Sequence, residues 1–261
     1  MKQVTASVIS NNEVMPGMYL IWLESPQITS TAQPGQFVMV RCGEGFEHPL
    51  RRPLSIHQLA DGSKLALLFN VVGKGTYWLA QCQVGDNIDL LGPLGNGFLI
   101  HPKSHKLLLL AGGIGIAPLR LLAQQAALNQ GCSVRLLLGA STATQIYPRR
   151  LLPPEAELIT TTEDGTAGKK GMITDLLPDF IGWADQIFAC GPTSMYQAMA
   201  ARNQQLLKAK SVQISLEVRM GCGRGVCYGC TLKTKRGLKQ VCADGPVFDL
   251  DDILWDELNC F

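Results

Sequence analysis

Over its first hundred residues the chain alternates short apolar runs with polar turns. The runs are Thr5–Ile9, Met18–Glu24, Gln36–Arg41, Lys64–Val71 and Asn87–Leu91, and "MPG", "QPG", "ADG" and "VGD" lie between them. Runs this short at such regular spacing predict the strands of a small antiparallel barrel or sandwich. The period changes near Pro102. "KLLLLAGG" (Lys106–Gly113) reads as a buried strand ending in a glycine turn. "APLRLLAQQAALNQG" reads as a helix with Pro118 near its start and Gly131 just past its end. "SVRLLLGA" (Ser133–Ala140), Glu157–Thr161 and Gln186–Ala189 follow as strands, with helices near Ile173–Leu177 and Thr193–Leu207. Strands alternating with helices predict an α/β domain with a doubly wound parallel sheet. After Glu217 the chain is rich in Gly and Cys and has no apolar pattern able to build its own core. A piece that small needs a metal or another staple. The expected organisation is therefore multidomain: an antiparallel β-barrel over 1–101, an α/β domain over 102–216, and a cysteine-rich segment over 217–261.

Composition narrows the class. With 46% hydrophobic and 17% charged residues in 261, the chain is globular. A net charge of +2 makes no case for nucleic acid or a membrane surface as partner. The longest apolar stretch, Leu107–Leu119, holds three glycines and a proline and is too short to span a bilayer. The opening "MKQVTASVIS" has no apolar signal core, so a cytoplasmic location is expected. In that reducing compartment nine cysteines read as metal ligands or redox groups rather than as a disulfide framework.

Four of them have a telling spacing. Cys222-x4-Cys227-x2-Cys230 is followed after eleven residues by Cys242. This is the plant-type [2Fe–2S] pattern. Gly221, Gly223, Gly225 and Gly229 let the backbone wrap a cluster and aim N–H groups at its sulfur atoms. A zinc knuckle would use two Cys-x2–4-Cys pairs, or Cys with His. Only Cys227 and Cys230 form such a pair, and they do not open a helix after a strand as a thioredoxin-like pair would. Arg224, at the loop tip, reads either as a partner contact or as a charge that tunes the cluster. Cys42, Cys82, Cys132, Cys190 and Cys260 read as small buried apolar residues, Cys190 alone having a second reading.

The turn "AGGIGIAPL" lies between a strand and a helix, the setting of a phosphate-binding glycine loop. Gly112, Gly113 and Gly115 supply the glycines, but Pro118 stands where the third glycine of G-x-G-x-x-G belongs. The turn thus reads equally as a packing device. An acid about twenty positions on would hold the ribose of NAD. That region reads "LLLGAST", with no acid, which leaves NAD and NADP open. Cys190, Gly191 and Pro192 form a second strand–turn–helix unit at the carboxyl edge of the same sheet, where ligands bind, or a plain helix start capped by Thr193. In the barrel, "RRPLSI" and "VVGKGTYWLA" offer Arg52, Ser55, Gly75 and Thr76 to a pyrophosphate. Each also reads as an ordinary strand end or helix cap.

With "RRPLSI", "VGKGT", "GPLGNGF", "AGGIGIAPL", "TEDGTAGKKGMITDLL", "CGP", "LEVRMGCGRGVCYGC" and "VCADGPVFD" in order, the chain resembles the flavin-dependent ferredoxin–NAD(P) reductases. Within them it is similar to the electron-transfer branch serving dihydroorotate dehydrogenase B. The resemblance covers nearly the whole length. It implies an FAD-binding barrel, an NAD(P)-binding domain and a [2Fe–2S] segment. Arg52, Pro53, Leu54 and Ser55 would hold FAD, with Gly75 and Thr76 at its phosphates and Leu68, Phe69 and Asn70 along the flavin. Many relatives carry a basic residue at the position of Asn70. Many plant-type reductases carry Tyr at that of Leu54, and its absence matches the dihydroorotate branch. Gly112, Gly113, Gly115, Pro118, Cys190, Gly191 and Pro192 would serve NAD(H), and the four cysteines the cluster.

The resemblance also implies that electrons enter as hydride from NADH and leave singly. They would go to an FMN-containing dihydroorotate dehydrogenase catalytic subunit of pyrimidine synthesis, in a hetero-oligomer. The ending "CADGPVFD" is similar as well to subunits serving glutamate-synthase-like or sulfide-linked oxidoreductases. A third reading is a zinc-stabilised binding protein without enzymatic activity. Cofactors carry hydride and electron transfer, so no catalytic side chain is expected, and His48, His57, His101 and His105 read as surface or structural.

Overall fold

Short apolar strands build the first sheet, and the last of them alternates strictly between buried and exposed or partly exposed positions. A computed structural model describes residues 1–43, 49–202 and 210–257. His48, Cys260 and the stretch of the expected last helix beyond Arg202 lie outside them. Six strands come first: β1 (Lys2–Met15), β2 (Met18–Glu24), β3 (Phe37–Val40), β4 (Arg52–Ala60), β5 (Lys64–Asn70) and β6 (Asn87–Leu94). In β6, Ile88, Leu90, Gly92 and Leu94 are buried and the residues between are not, the signature of a strand with one face on a core. The order β1-β2-β5-β4-β3-β6 closes into an antiparallel barrel when β6 pairs back with β1. Inside lie Ala6, Val8, Ile21, Val38, Ile56, Leu67 and Ile88, joined by Ile28 of α1 (Pro26–Thr29) and Leu79 of α2 (Lys74–Gln81).

Five of the barrel strands coincide with the apolar runs. The sixth, β4, does not announce itself. It contains Pro53 and buries His57 and Gln58, so polar residues occupy positions where an apolar period would show.

The second sheet is built from β7 (Lys106–Gly112), β8 (Ser133–Ala140), β9 (Glu157–Thr162), β10 (Lys169–Lys170), β11 (Gln186–Cys190) and β12 (Ser211–Ser215). Then β13 (Thr231–Thr234) and β14 (Gly237–Gln240) form a hairpin, and β15 (Val247–Asp249) returns to the sheet. The order is β10-β9-β8-β7-β11-β12-β15, parallel throughout except for β15 against β12. The central strands β7 and β11 are almost wholly buried, as strands covered on both faces must be. α3 (Ile116–Gln130) follows β7 and stops at Gly131, whose φ of +61° ends the helix. α4 (Leu177–Phe180), α5 (Thr193–Arg202) and α6 (Val241–Asp244) complete the set. The expected helix at Ile173–Leu177 is a 3₁₀ turn over Ile173–Leu176 that runs into α4. From β7 the chain winds outward through β8 and β9, then crosses back to β11. The order therefore reverses between β7 and β11, and a crevice opens at their carboxyl ends.

α3 ties the two sheets together. Its Leu121 packs in the barrel core while Leu119 and Leu122 pack under the second sheet. At the same joint His57 of β4 is fully buried. Its Nδ1 lies 2.9 Å from the Ala117 carbonyl and its Nε2 2.9 Å from the Tyr147 hydroxyl. A carbonyl only accepts, so Nδ1 carries the proton and Nε2 accepts from Tyr147. Burial keeps the ring neutral and pushes its pKa from 6.5 down to about 3. The unfolded chain takes up a proton near pH 6.5 and the folded chain does not, so acid favours unfolding. Stability measured by urea unfolding is expected to fall by up to ~1.4 kcal/mol per pH unit below that point. His57→Leu should remove this slope. The raised carboxyl of Glu217, described below, runs the other way in both proteins, so the difference between them isolates His57.

Candidate functional site

Two clefts and one loop meet where the barrel joins the second sheet. The first cleft, ≈ 370 Å³, gathers Arg52, Pro53, Leu54 and Ser55 from β4, Leu68, Phe69 and Asn70 from β5, and Thr76 from α2. Of the paired arginines, Arg51 is committed elsewhere: its Nη2 meets Asp89 Oδ2 at 2.8 Å on β6. Arg52 is the one at the cleft. Its guanidinium donates to the Leu50 carbonyl and lies flat on Gly75, where a Cβ would come within 2.9 Å of Nε. Gly75 is therefore the bed of Arg52 and not itself part of the lining. The Thr76 hydroxyl closes the turn before α2. It accepts from the N–H groups of Val72 and Gly73 at 3.0 and 3.2 Å, and its own hydrogen goes to the Gly73 carbonyl. The first-turn N–H groups of Lys74, Gly75 and Thr76 have no partner within the helix. An apolar floor, a guanidinium and a helix N-terminus suit a flat aromatic group carrying phosphates.

The second cleft, ≈ 820 Å³, runs along the carboxyl ends of β7, β8, β9 and β11 and includes Gly112, Gly113, Gly191 and Pro192. Two strand–turn–helix units nest here with glycine against glycine. A Cβ on Gly112 would reach Pro192 Cδ at 2.8 Å, and one on Gly191 would reach Gly112 Cα at 3.1 Å. A Cβ on Gly115 would sit 1.9 Å from the Cys190 carbonyl oxygen, so α3 starts directly on the end of β11. The Tyr196 hydroxyl pins the second turn, accepting from Gly191 N at 2.9 Å and donating to the Ser215 carbonyl at 2.7 Å. Gly115, Pro118 and Cys190 lie beneath the cleft rather than along it. Pro118 stands in the first turn of α3, where an N–H would have no helical partner anyway.

Asn70, Val72, Ile114 and Glu217 line both clefts. Glu217 is open to the cleft space, yet protein surrounds its carboxyl closely. Burial pushes its pKa up, and the Cys190 thiol, donating to Oε1 at 3.6 Å, only partly offsets this. Burial likewise pushes the Cys190 thiol well above its usual range. Sequence reasoning missed Glu217. The available signal was an acid just past the end of a strand, and it means something only once β12 is known to lie beside β11.

The cysteine loop packs on the barrel beside the first cleft. Gly223, with φ +69°, leaves no room for a side chain: a Cβ would meet Met39 Cγ at 2.5 Å. Met220, two residues before Cys222, lines the first cleft. Gly225 (φ +75°) and Tyr228 (φ +58°) turn the loop tightly, and the β13–β14 hairpin brings Cys242 on α6 back beside Cys230. Backbone N–H groups reach the sulfurs: Arg224 to Cys222 at 3.3 Å, Gly225 to Cys242 at 3.1 Å and Cys242 to Cys230 at 3.4 Å. Burial raises the Cys222 thiol, but the N–H groups of Arg224, Cys227 and Val226 outweigh it and hold it at about 6. Burial and the neighbouring Cys230 push Cys242 up to about 12. Among the described residues no three His, Cys, Asp or Glu side chains are placed to hold a metal ion. The sulfurs stand instead as Cys222 with Cys227 and Cys230 with Cys242. An all-thiol set in two pairs, supplied with N–H donors, fits a two-iron core better than a tetrahedral zinc.

Known proteins agree with this arrangement. The chain is 38% identical to the electron transfer subunit of dihydroorotate dehydrogenase B (NAD(+)) from Desulforamulus reducens, over 98% of this chain and 99% of that one. The chain belongs to the dihydroorotate dehydrogenase B electron transfer subunit family. The Geobacillus thermodenitrificans member is 35% identical over 95% of this chain and 97% of its own length. The model of the iron–sulfur cluster binding domain of dihydroorotate dehydrogenase B matches residues 217–254, the cysteine loop included. That of the oxidoreductase NAD-binding domain matches residues 109–201, from β7 into α5. Among solved structures, a chain of an NADH-dependent reduced ferredoxin–NADP oxidoreductase superposes with a TM-score of 0.86 at 30% identity, over 97% of this chain and 91% of that one. A ferredoxin–NADP+ reductase from Neisseria gonorrhoeae, solved with FAD and NADP, reaches 0.65 at 19% over 79% and 92%, which relates the folds. Cys227 of the loop is exposed, as are Val226 and Tyr228 on either side of it. No helix among the described residues is long and apolar enough to cross a membrane.

Proposed function

We propose that this chain passes electrons between NADH and an FMN-containing dihydroorotate dehydrogenase catalytic subunit, in the cytoplasm, for pyrimidine synthesis, with dihydroorotate oxidation drawing them toward NAD. One observation carries the reading: the two clefts share Asn70, Val72, Ile114 and Glu217, and the first cleft shares Met220 with the cysteine loop. That shared lining supports a nucleotide site, a flavin site and an electron exit arranged in sequence. When bound, NADH supplies a hydride, FAD splits its electron pair, and a [2Fe–2S] cluster carries electrons one at a time.

The chain's own residues hold and orient these groups. Arg52, Pro53, Leu54, Ser55, Leu68, Phe69 and Asn70 would form the FAD wall, and Gly75 leaves room for Arg52, whose guanidinium would pair with the phosphates. The N-terminus of α2, shaped by Thr76, takes the pyrophosphate. Gly112, Gly113, Gly191 and Pro192 line the path of NADH, while Gly115, Pro118 and Cys190 set the height of the turn. Glu217, where the clefts meet, positions the nicotinamide against the flavin. Cys222, Cys227, Cys230 and Cys242 ligate iron.

The test is co-expression with the catalytic subunit of the same organism. The expected result is a stable complex containing FAD, FMN and iron that couples dihydroorotate oxidation to NAD reduction, with this chain alone reducing dyes from NADH. A colourless chain holding zinc, or capture of a different oxidoreductase as the native partner, would overturn the proposal.

A further inference from the structure

An acid to hold the adenosine ribose is missing from the end of β8, where the glycine turn calls for it. The fold supplies one from the next strand. β8 and β9 run parallel with Gly139 beside Thr161 and Ala140 beside Thr162, so Ser141 and Glu163 leave the sheet together. The Glu163 N–H donates to the Ala140 carbonyl at 3.1 Å, and the Ser141 hydroxyl donates to Glu163 Oε1 at 3.0 Å. Both residues line the second cleft. Oε1 is thereby fixed, and Oε2 has no hydrogen-bond partner among the described residues.

Direction follows from the cleft's two ends. Glu217 and Ile114 mark the end shared with the first cleft, where a nicotinamide must sit to face a flavin. The glycine turn at the start of α3 suits the pyrophosphate. The adenosine is left with the other end, at β8 and β9. We propose that Glu163, braced by Ser141, accepts the 2′-hydroxyl of that ribose and makes the chain select NADH over NADPH. The inference rests on reading this cleft as the dinucleotide site.

Charge points the same way. The ionisable residues along the cleft are Glu163, Asp175 and Glu217, and among the described residues no Lys or Arg lines it. A 2′-phosphate needs a cationic partner and would here meet a carboxylate. Two lysines stand on β10, the neighbour of β9 in the sheet. Lys169 pairs with Asp179 at 3.4 Å, and the stem of Lys170 lies along Gly165.

The experiment is calorimetric titration of the purified flavin- and iron-loaded protein with ADP-ribose and with 2′-phospho-ADP-ribose. Neither probe can donate a hydride, so binding is read apart from turnover. A hydrogen bond to a charged group corresponds to roughly 10–100-fold in affinity. Wild type should prefer ADP-ribose by at least ~30-fold. Glu163→Gln should shrink that ratio about tenfold, and Ser141→Ala, which only frees the carboxylate, by less. Circular dichroism checks that both variants fold. Equal affinity of wild type for the two probes, or an unchanged ratio in Glu163→Gln, overturns the role of Glu163. Binding of neither probe overturns the reading of the cleft itself, and the inference with it.

Discussion

Cys242→Ser is expected to empty the cysteine loop of iron and to cut electron exchange with the catalytic subunit by at least ~100-fold, while NADH continues to reduce a two-electron dye. The size follows from what weaker changes do. Removing a group that merely supports a metal ligand lowers affinity or activity ~10–100-fold, and here the ligand itself goes. Cys242 is buried, its sulfur accepts the Gly225 N–H, and it stands against Cys230, so no water can replace it without reopening the loop. The split between the two activities follows from the fold. The barrel wall of the first cleft and the glycine turns of the second come from elements that precede the loop. Among the described residues of the segment that carries it, only Glu217, Val218, Met220 and Pro246 reach the first cleft. Iron content, dye reduction and dihydroorotate-coupled NAD reduction, measured on one preparation, decide the matter. A variant that loses all three together would place the cysteines in the flavin site's framework and not at the exit. One that keeps its iron would remove Cys242 from the ligand set.

The cysteines were legible because their relation is local. Three ligands within nine residues need no knowledge of topology, and the fourth returns on a hairpin whose basic turn is visible in "KTKRGLK". The central strands β7 and β8 were legible as apolar runs, and β6 as alternation. Where the sequence is silent, partners decide. β4 hides because its interior positions include His57, whose polarity is satisfied only by Ala117 and Tyr147 from another sheet. β15 is three residues long and becomes a strand only because β12 is there to pair with it. The site divides along the same line. Arg52 and the glycine turns stand out as motifs, but that Gly75 serves Arg52, and that Gly115 and Pro118 lie under the cleft, depends on contacts between distant segments. Glu217 and Glu163 sit at strand ends, and their meaning depends on sheet order, which no single strand encodes.

Gly115→Ala is the most damaging single methyl group available at the nucleotide site. The backbone of Gly115 is ordinary helix, with φ −58°, so an alanine there carries no conformational strain. The cost comes entirely from contact. The new Cβ would lie 1.9 Å from the Cys190 carbonyl oxygen, 2.3 Å from its carbon and 2.8 Å from Gly191 N. All three are backbone atoms and cannot swing aside as a side chain could. Either α3 lifts off β11 or the second turn is pushed outward. Overpacking of this kind costs about 1–3 kcal/mol and occasionally more, and a clash with backbone belongs at the upper end. A loss of ~3 kcal/mol corresponds to roughly 6–12 °C in Tm. Because the same movement separates Gly112 from Pro192, NADH binding should weaken by more than ~10-fold even in the fraction that stays folded. Two controls isolate the cause. Gly113 and Gly131 have φ of +53° and +61° with nothing near a would-be Cβ, so alanine at either is strained by only ~1–2 kcal/mol of backbone conformation. Gly131→Ala should therefore lower Tm modestly and leave NADH binding unchanged, being at the far end of α3. Gly113→Ala should lower Tm by a similar amount but also disturb the turn that faces the pyrophosphate. If Gly115→Ala behaves like Gly131→Ala in both measurements, then α3 does not rest on the end of β11, and the nested pair of turns that shapes the second cleft must be abandoned.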